Sequence, residues 1–367
     1  MRNLHFRLMA FAIVNFVFTN ALNAQTGWYF QNPKAEGNVL RSASFADINK
    51  GLAVGEKGTI LKTTDGGASW VKVASPTTKD LYGVSFNDAG HAVAVGDNGS
   101  VLRSTDGGNS WEVKSVNVYP DLYQVKFLNA SFGIITGDAG KILRTTDGGL
   151  TWTAQASGSS SRLNAVEIID ENTATAVGNN GTILKSTDGG QTWNPQTSPV
   201  NQQLFSVAFS DANTGVITGF NGTILYTSNG GNTWDVSPQQ TTGEINSVKF
   251  FTPARCVAVC SGYEIFLSSD SGKTWDAVQN YYYPDGGYDV CILNENTAVS
   301  VGYGIVKTSD QGITWLAQSG GIDVGFNGVC FTDVNHGTAV GAQGAIYRTT
   351  DGGSSWDQQA IGGPWLL

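Results

Sequence analysis

Five carboxylates in this chain could do acid–base chemistry: Asp121, Glu167, Glu244, Asp285 and Asp289. A pair of such groups across a cleft is what glycoside cleavage needs. Each one, however, falls in a loop or near a strand end, where a surface charge is the ordinary occupant. Nucleophilic chemistry has less to draw on. His5, His91 and His336 stand singly, and no Ser/His/Asp set accompanies them. The many Gly-rich turns do not precede helices, so they are not phosphate loops. Cys256, Cys260, Cys291 and Cys330 all fall in the last third of the chain. Cys-x₃-Cys without a neighbouring His is a poor zinc signature. These cysteines read as small buried thiols, with disulfides the alternative. No metal and no cofactor is expected. Recognition chemistry is better represented. Tyr281, Tyr282, Tyr283 and Tyr288 surround Pro284-Asp285-Gly286-Gly287, and Tyr119 and Tyr123 flank Pro120-Asp121-Leu122. Clustered tyrosines beside a rigid Pro suit a protein or glycan surface. An aromatic lid packed on the fold would show the same pattern.

Something regular must position these loops. Eight tryptophans, from Trp70 to Trp356, recur at intervals of 41 residues, once 40. Each closes a phrase [ST]-x-[DN]-x-G-x-[ST]-W. A fixed period of this length marks repeated copies of one small unit. The acidic position is Asp65, Asp106, Asp147, Asp188, Asp270, Asp310 and Asp351, with Asn229 in the fifth copy. Asn keeps the carbonyl acceptor and loses the charge, so the position needs an acceptor for turn N–H groups rather than an anion. The first Gly is replaced by Ser271 and Gln311, whereas the second, Gly67 to Gly353, never changes. That invariance predicts a positive φ at the second position.

Upstream of each phrase lie short alternating runs bounded by turn residues. In the second copy these are Leu81–Phe86, His91–Gly96 and Ser100–Ser104, with a tight Asp97-Asn98-Gly99 turn. They read as strands, and the run after the Trp makes a fourth. The chain is therefore expected to be all-β, a propeller of four-stranded antiparallel blades. Eight blades are expected, with seven the alternative, because Trp28 resembles a ninth outer strand able to clasp the ring. The a–b turns and the Asp phrases should occupy one face, and the b–c turns and inter-blade crossings the other. Variation concentrates in the crossings, where specificity is expected. A column two residues before the strand-a Val comprises Arg41, Tyr82, Tyr123, Asn164, Phe205, Asn246, Tyr288 and Asn327. It should approach the channel mouth, but its parity with Val84 and Phe86 favours inter-blade packing. A column of cations before the Asp phrase reads as solvated: Lys62, Arg103, Arg144, Lys185, Lys307 and Arg348.

Residues 1–24 read as a signal peptide. Arg2 and Arg7 precede the apolar Leu8–Phe18, and Ala21-Leu-Asn-Ala24 offers a cleavage site. A mature 25–367 propeller, exported, monomeric and without a membrane span, is expected. Net charge is −9 and the pI near 4.8. No basic stripe is visible, so nucleic acid is not an expected partner.

The phrase Ser-Thr-Asp-Gly-Gly-x-[ST]-Trp resembles the Asp-box, or BNR repeat. With Val177-Gly-Asn-Asn-Gly-Thr-Ile-Leu-Lys-Ser-Thr-Asp-Gly-Gly190 before Trp193, the chain resembles the photosystem II stability and assembly factor-like propellers. The resemblance covers nearly all of 25–365. It implies a non-enzymatic scaffold that binds a protein partner. Other Asp-box propellers are glycosidases, which keeps a glycan-binding protein or glycoside hydrolase as the alternative. A sialidase would need an arginine triad and a Tyr/Glu pair. Outside the repeat column only Arg41, Arg162 and Arg255 remain in the mature chain, and no Tyr/Glu pair stands out.

Overall fold

The b strands are apolar on both faces and have to be covered on both sides, and stacking one small sheet on the next does this. The computed structural model describes residues 38–238, 241–261, 264–278, 287–302, 304–317, 324–359 and 361–362. They form eight antiparallel sheets, one per repeat, arranged as the blades of a ring. In blade 2 the strands run a Leu81–Phe86, b Ala92–Gly96, c Ser100–Ser104 and d Glu112–Val113. Strand b is fully buried in every blade. No helix among the described residues is long and apolar enough to cross a membrane.

The core sits between blades rather than within them. Leu52, Val54 and Ile60 of blade 1 pack with Leu81, Ala94 and Trp111 of blade 2, and this arrangement repeats around the ring. Closure uses the same contact: Val340 and Ile346 of blade 8 pack with Leu40, Ala53 and Trp70 of blade 1. Blade 1 is continuous in sequence. Its outer edge is extended by a fifth strand from the other end of the chain, with Ile361 and Gly362 pairing in parallel with Trp70 and Val71. Trp28 and residues 1–24 lie outside the described residues.

The Asp phrases behave as the Asn229 substitution implies. Asp188 Oδ1 accepts the Ser186 hydroxyl at 2.9 Å and the Thr192 N–H at 2.9 Å, while Oδ2 accepts the Thr192 hydroxyl at 2.7 Å. At Asn229 the carbonyl accepts the equivalent pair, and the amide donates to the Thr233 hydroxyl at 2.9 Å. The second glycine has the positive φ expected of it, but φ alone does not explain why it never changes. Both glycine positions have positive φ, and Ser271 and Gln311 occupy the first at 66° and 63°. The second is fixed by contact with the preceding blade as well: a Cβ on Gly272 would stand 2.3 Å from Val216 Cγ2.

The expected solvated cation column is corrected. Lys62 and Arg103 are buried, and the column reaches into the next blade's Asp phrase. Arg103, Arg144 and Arg348 donate from Nε to the carbonyls of Gly148, Gly189 and Gly66, and Lys62 and Lys185 from Nζ to Asn109 and Asn232. Their alkyl stems cover apolar surface while the head groups bond across the seam. Cys256, Cys260, Cys291 and Cys330 form no disulfide among the described residues. Cys256 and Cys260 are buried in strand b of blade 6.

Candidate partner-binding site

Backbone bonds fix which loops share an end of the ring. The Asp97 N–H, opening the b–c turn of blade 2, donates to the carbonyl of Asp80 in the preceding crossing, at 2.9 Å. At the opposite end the Gly107 N–H of the Asp phrase donates to Gly90 in the a–b turn, at 2.8 Å. The b–c turns and the crossings therefore form one face, as the sequence indicates.

On that face strand a carries a β-bulge in every blade. In blade 2 Leu81 pairs with Gly96 and Gly83 with Val95, which leaves Tyr82 as the extra residue. The extra residues in the other blades are Arg41, Tyr123, Asn164, Phe205, Asn246, Tyr288 and Asn327. A bulge re-aims a side chain. It breaks the parity with Val84 and Phe86 that the sequence suggests, and five members of the column line the channel: Asn164, Phe205, Asn246, Tyr288 and Asn327. The three asparagines still tie blades together, by hydrogen bonds instead of apolar packing. Asn164, Asn246 and Asn327 each donate from Nδ2, at 2.8 Å, to the carbonyls of Leu204, Gly287 and Leu40 in the following blade.

In blades 1 to 4 the same rim is aromatic and cationic. The Tyr82 and Tyr123 rings lie 5.2 Å apart at 34°. Arg41 sits 5.4 Å from the Tyr82 centroid and Arg162 3.5 Å over Tyr123, so two guanidinium groups cap an aromatic pair. Carboxylates hold the rings in place: Tyr82 donates to Asp97 at 2.6 Å and Tyr123 to Asp138 at 2.9 Å. Burial, and then the bond to Asp138, pushes the Tyr123 hydroxyl up to about 12, and Tyr82 is raised for the same reasons with Asp97 as partner. Both rings therefore act as neutral donors. Arg41 is paired with Glu56 at 3.1 Å. Tyr119 projects from the crossing with 84% of its surface exposed.

Of the tyrosines singled out in sequence, Tyr119, Tyr123 and Tyr288 fall on this face. Tyr281, Tyr282 and Tyr283 lie outside the described residues. Tyr82, Arg41 and Arg162 complete the stack. The first two stand in the repeat column, but only the bulge shows that they face outward together.

The candidate carboxylates divide. Asp121 accepts the Asn98 N–H at 2.7 Å, supporting a turn. Asp285 lies outside the described residues. Glu167 and Asp289 line the channel. Glu167 is paired with Lys126 at 2.5 Å. Asp289 accepts the N–H groups of Val290 at 2.9 Å and Val329 at 3.2 Å, and the Ser247 hydroxyl at 3.2 Å. Burial raises its pKa, against the Lys249 charge and these N–H bonds. Burial also pushes the Cys291 thiol up to about 11 and raises Cys330, which leaves little thiolate near neutral pH. Among the described residues no group of three or more His, Cys, Asp or Glu could hold a metal ion.

Eight four-stranded blades, each closed by an Asp-box, define the chain as an eight-bladed Asp-box β-propeller. It belongs to the photosynthesis system II assembly factor YCF48 family, whose model matches residues 68–198, 159–280 and 193–322, together well over half of the chain. Among solved structures the chain is similar to YCF48 bound to D1 peptide, at 18% identity and a TM-score of 0.60, covering 87% of this chain and 93% of that one. It is also similar to the Niastella koreensis GH74 enzyme, at 18% identity and 0.53, covering 89% of this chain and 65% of that one. A third likeness is to Chaetomium thermophilum Sqt1 bound to the N-terminus of ribosomal protein L10, at 12% and 0.70, covering 86% and 98%. At these identities the likenesses show the fold alone. No curated protein sequence matches the chain.

Proposed function

We propose that this chain is an exported, non-catalytic scaffold that binds a protein partner through the b–c face. The observation that carries this reading is the Arg41–Tyr82–Tyr123–Arg162 stack, on the face that also bears the exposed Tyr119. Rigid tyrosines offer contact area at little entropic cost, and arginines add directional donors. Two propellers of similar fold hold peptide segments, D1 peptide and the L10 N-terminus. Family membership supports the assembly-factor type of role. Residues 1–24 support export. Monomeric behaviour belongs to the same proposal.

The second reading, a glycosidase, draws on one observation: Glu167 and Asp289 line the same cavity. Both carboxylates are engaged there by Lys126 and by backbone N–H groups, and the cavity lies among strand-a side chains. Co-purification from the native host, run beside a glycan-hydrolysis panel, separates the two readings. The scaffold reading expects a stoichiometric protein partner lost on replacing Tyr119, Tyr123 and Tyr281–Tyr283 with Ala, and no glycan turnover. Turnover that disappears in Glu167→Gln or Asp289→Asn would establish the rival.

A further inference from the structure

Looking down the channel, strand a presents two inner rungs per blade. The rung beside the bulge is Ser42, Gly83, Gln124, Ala165, Ser206, Ser247, Asp289 and Gly328. In alternate blades this residue accepts an N–H from the next blade. Val84 bonds to Ser42, Val166 to Gln124, Val248 to Ser206 and Val329 to Asp289, at 3.4, 2.6, 3.4 and 3.2 Å. A neutral serine or glutamine performs this stitch in three of the four seams. The carboxylate of Asp289 is not needed for it.

The deeper rung repeats the point. Ser44 accepts the Phe86 N–H at 3.2 Å, and the corresponding residues of blades 3, 4 and 6 are Lys126, Glu167 and Lys249. Four charges therefore face the channel where the repeat requires none. An enclosed charge is costly unless it is paired or meets a ligand. Lys126 and Glu167 satisfy each other. Lys249 lowers the Asp289 pKa through space, yet closes no ion pair with it or with any other described carboxylate. Cation and anion look into adjoining cavities of about 230 and 520 Å³ that share Gln124, Lys126, Glu167, Lys249 and Asp289. These volumes lie at the lower end of, or just below, the roughly 300–1,000 Å³ of small-molecule sites.

We propose that the central channel binds a small zwitterion of the amino-acid or dipeptide class, with its carboxylate at Lys249 and its ammonium at Asp289. With Lys126 and Glu167 paired to each other, the remaining Lys249 and Asp289 favour a ligand bearing both charges over a simple anion or cation. The Tyr82–Tyr123 stack lines neither cavity.

Calorimetric titration of the full chain with glycylglycine and each common amino acid, beside acetate and ethylammonium, tests this. Saturable binding of at least one zwitterion is expected, with the single-charge probes weaker by about tenfold or more. Lys249→Gln and Asp289→Asn should each weaken the zwitterion by about tenfold. Asn keeps one acceptor oxygen, for either the Val329 or the Val290 N–H, so a melting curve of each variant accompanies its titration. Ser85→Ala, on the same rung in blade 2, should bind as the parent does. Failure of every zwitterion to bind, or equal binding by acetate or ethylammonium, would overturn the proposal whatever the variants do.

Discussion

At the Asp-box end of the ring, eight copies of one phrase make the same hydrogen bonds, and a change of residue is accepted only where the bonds survive, as at Asn229. At the b–c end, one bulged position per blade holds Arg, two Tyr, Asn, Phe, Asn, Tyr and Asn in turn. Both ends are built on the same strands. The difference shows where sequence is committed to holding the blades and where the backbone frees a side chain to vary. The Asp-box side chains are used up by their own turn and by cations from the preceding blade. The bulged residues are presented to the mouth of the channel.

Substitutions at the committed end should act on stability alone, and the largest effect should come from the core. Trp193 is 5% exposed and bonds through its indole N–H to Gly190, so Trp193→Ala should cost about 3–5 kcal/mol in chemical denaturation. Gly272→Ala drives a Cβ against Val216 at a φ of 86° and should cost about 1–3 kcal/mol. Asp188→Ala leaves the buried Ser186 hydroxyl and three turn donors without their acceptor and should cost about 1–3 kcal/mol, with partner affinity unchanged. Loss of partner binding at full stability in that variant would break the contrast between the two ends.

A pH series sharpens it further. Bonds from Thr192 hold the Asp188 carboxyl at about 2, and bonds led by the Ser110 hydroxyl do the same for Asp106. A depressed folded pKa gives stability that is complete above the ordinary carboxylate range and is lost as pH falls through the folded value. The melting temperature should therefore drop between about pH 4 and pH 2. Asp188→Asn should behave near neutrality as the natural Asn229 does and flatten the acid slope slightly. An unchanged slope would show that the charge contributes nothing there.

The architecture was legible because it is repeated. Trp spacing, the strand runs and the Asn229 exception gave the blade, the blade number and the role of the acceptor. Two things were hidden. The cation column looks like a solvated stripe because a sequence shows the charge and not the carbonyl of Gly148 or Gly189 in the next blade. The bulged column looks like a packing position because alternation is counted without the inserted residue, and one inserted residue moves every side chain before it out of phase. The expected clasp at Trp28 lies outside the described residues, and the fifth strand found on blade 1 comes from Ile361–Gly362, a segment with no Trp to mark it.

The direct test of the central claim is the affinity of a selected peptide ligand for four forms of the protein. Panning the parent chain against a displayed peptide library supplies the ligand, and titration compares the parent, Tyr82→Ala/Tyr123→Ala, Arg162→Ala and Asp188→Asn. Specific peptides are expected to bind the parent and Asp188→Asn alike, and to lose about tenfold or more in affinity for the Tyr pair and for Arg162→Ala. Peptides that bind the Tyr and Arg variants as tightly as the parent, or a library that yields no specific binder, would contradict the account.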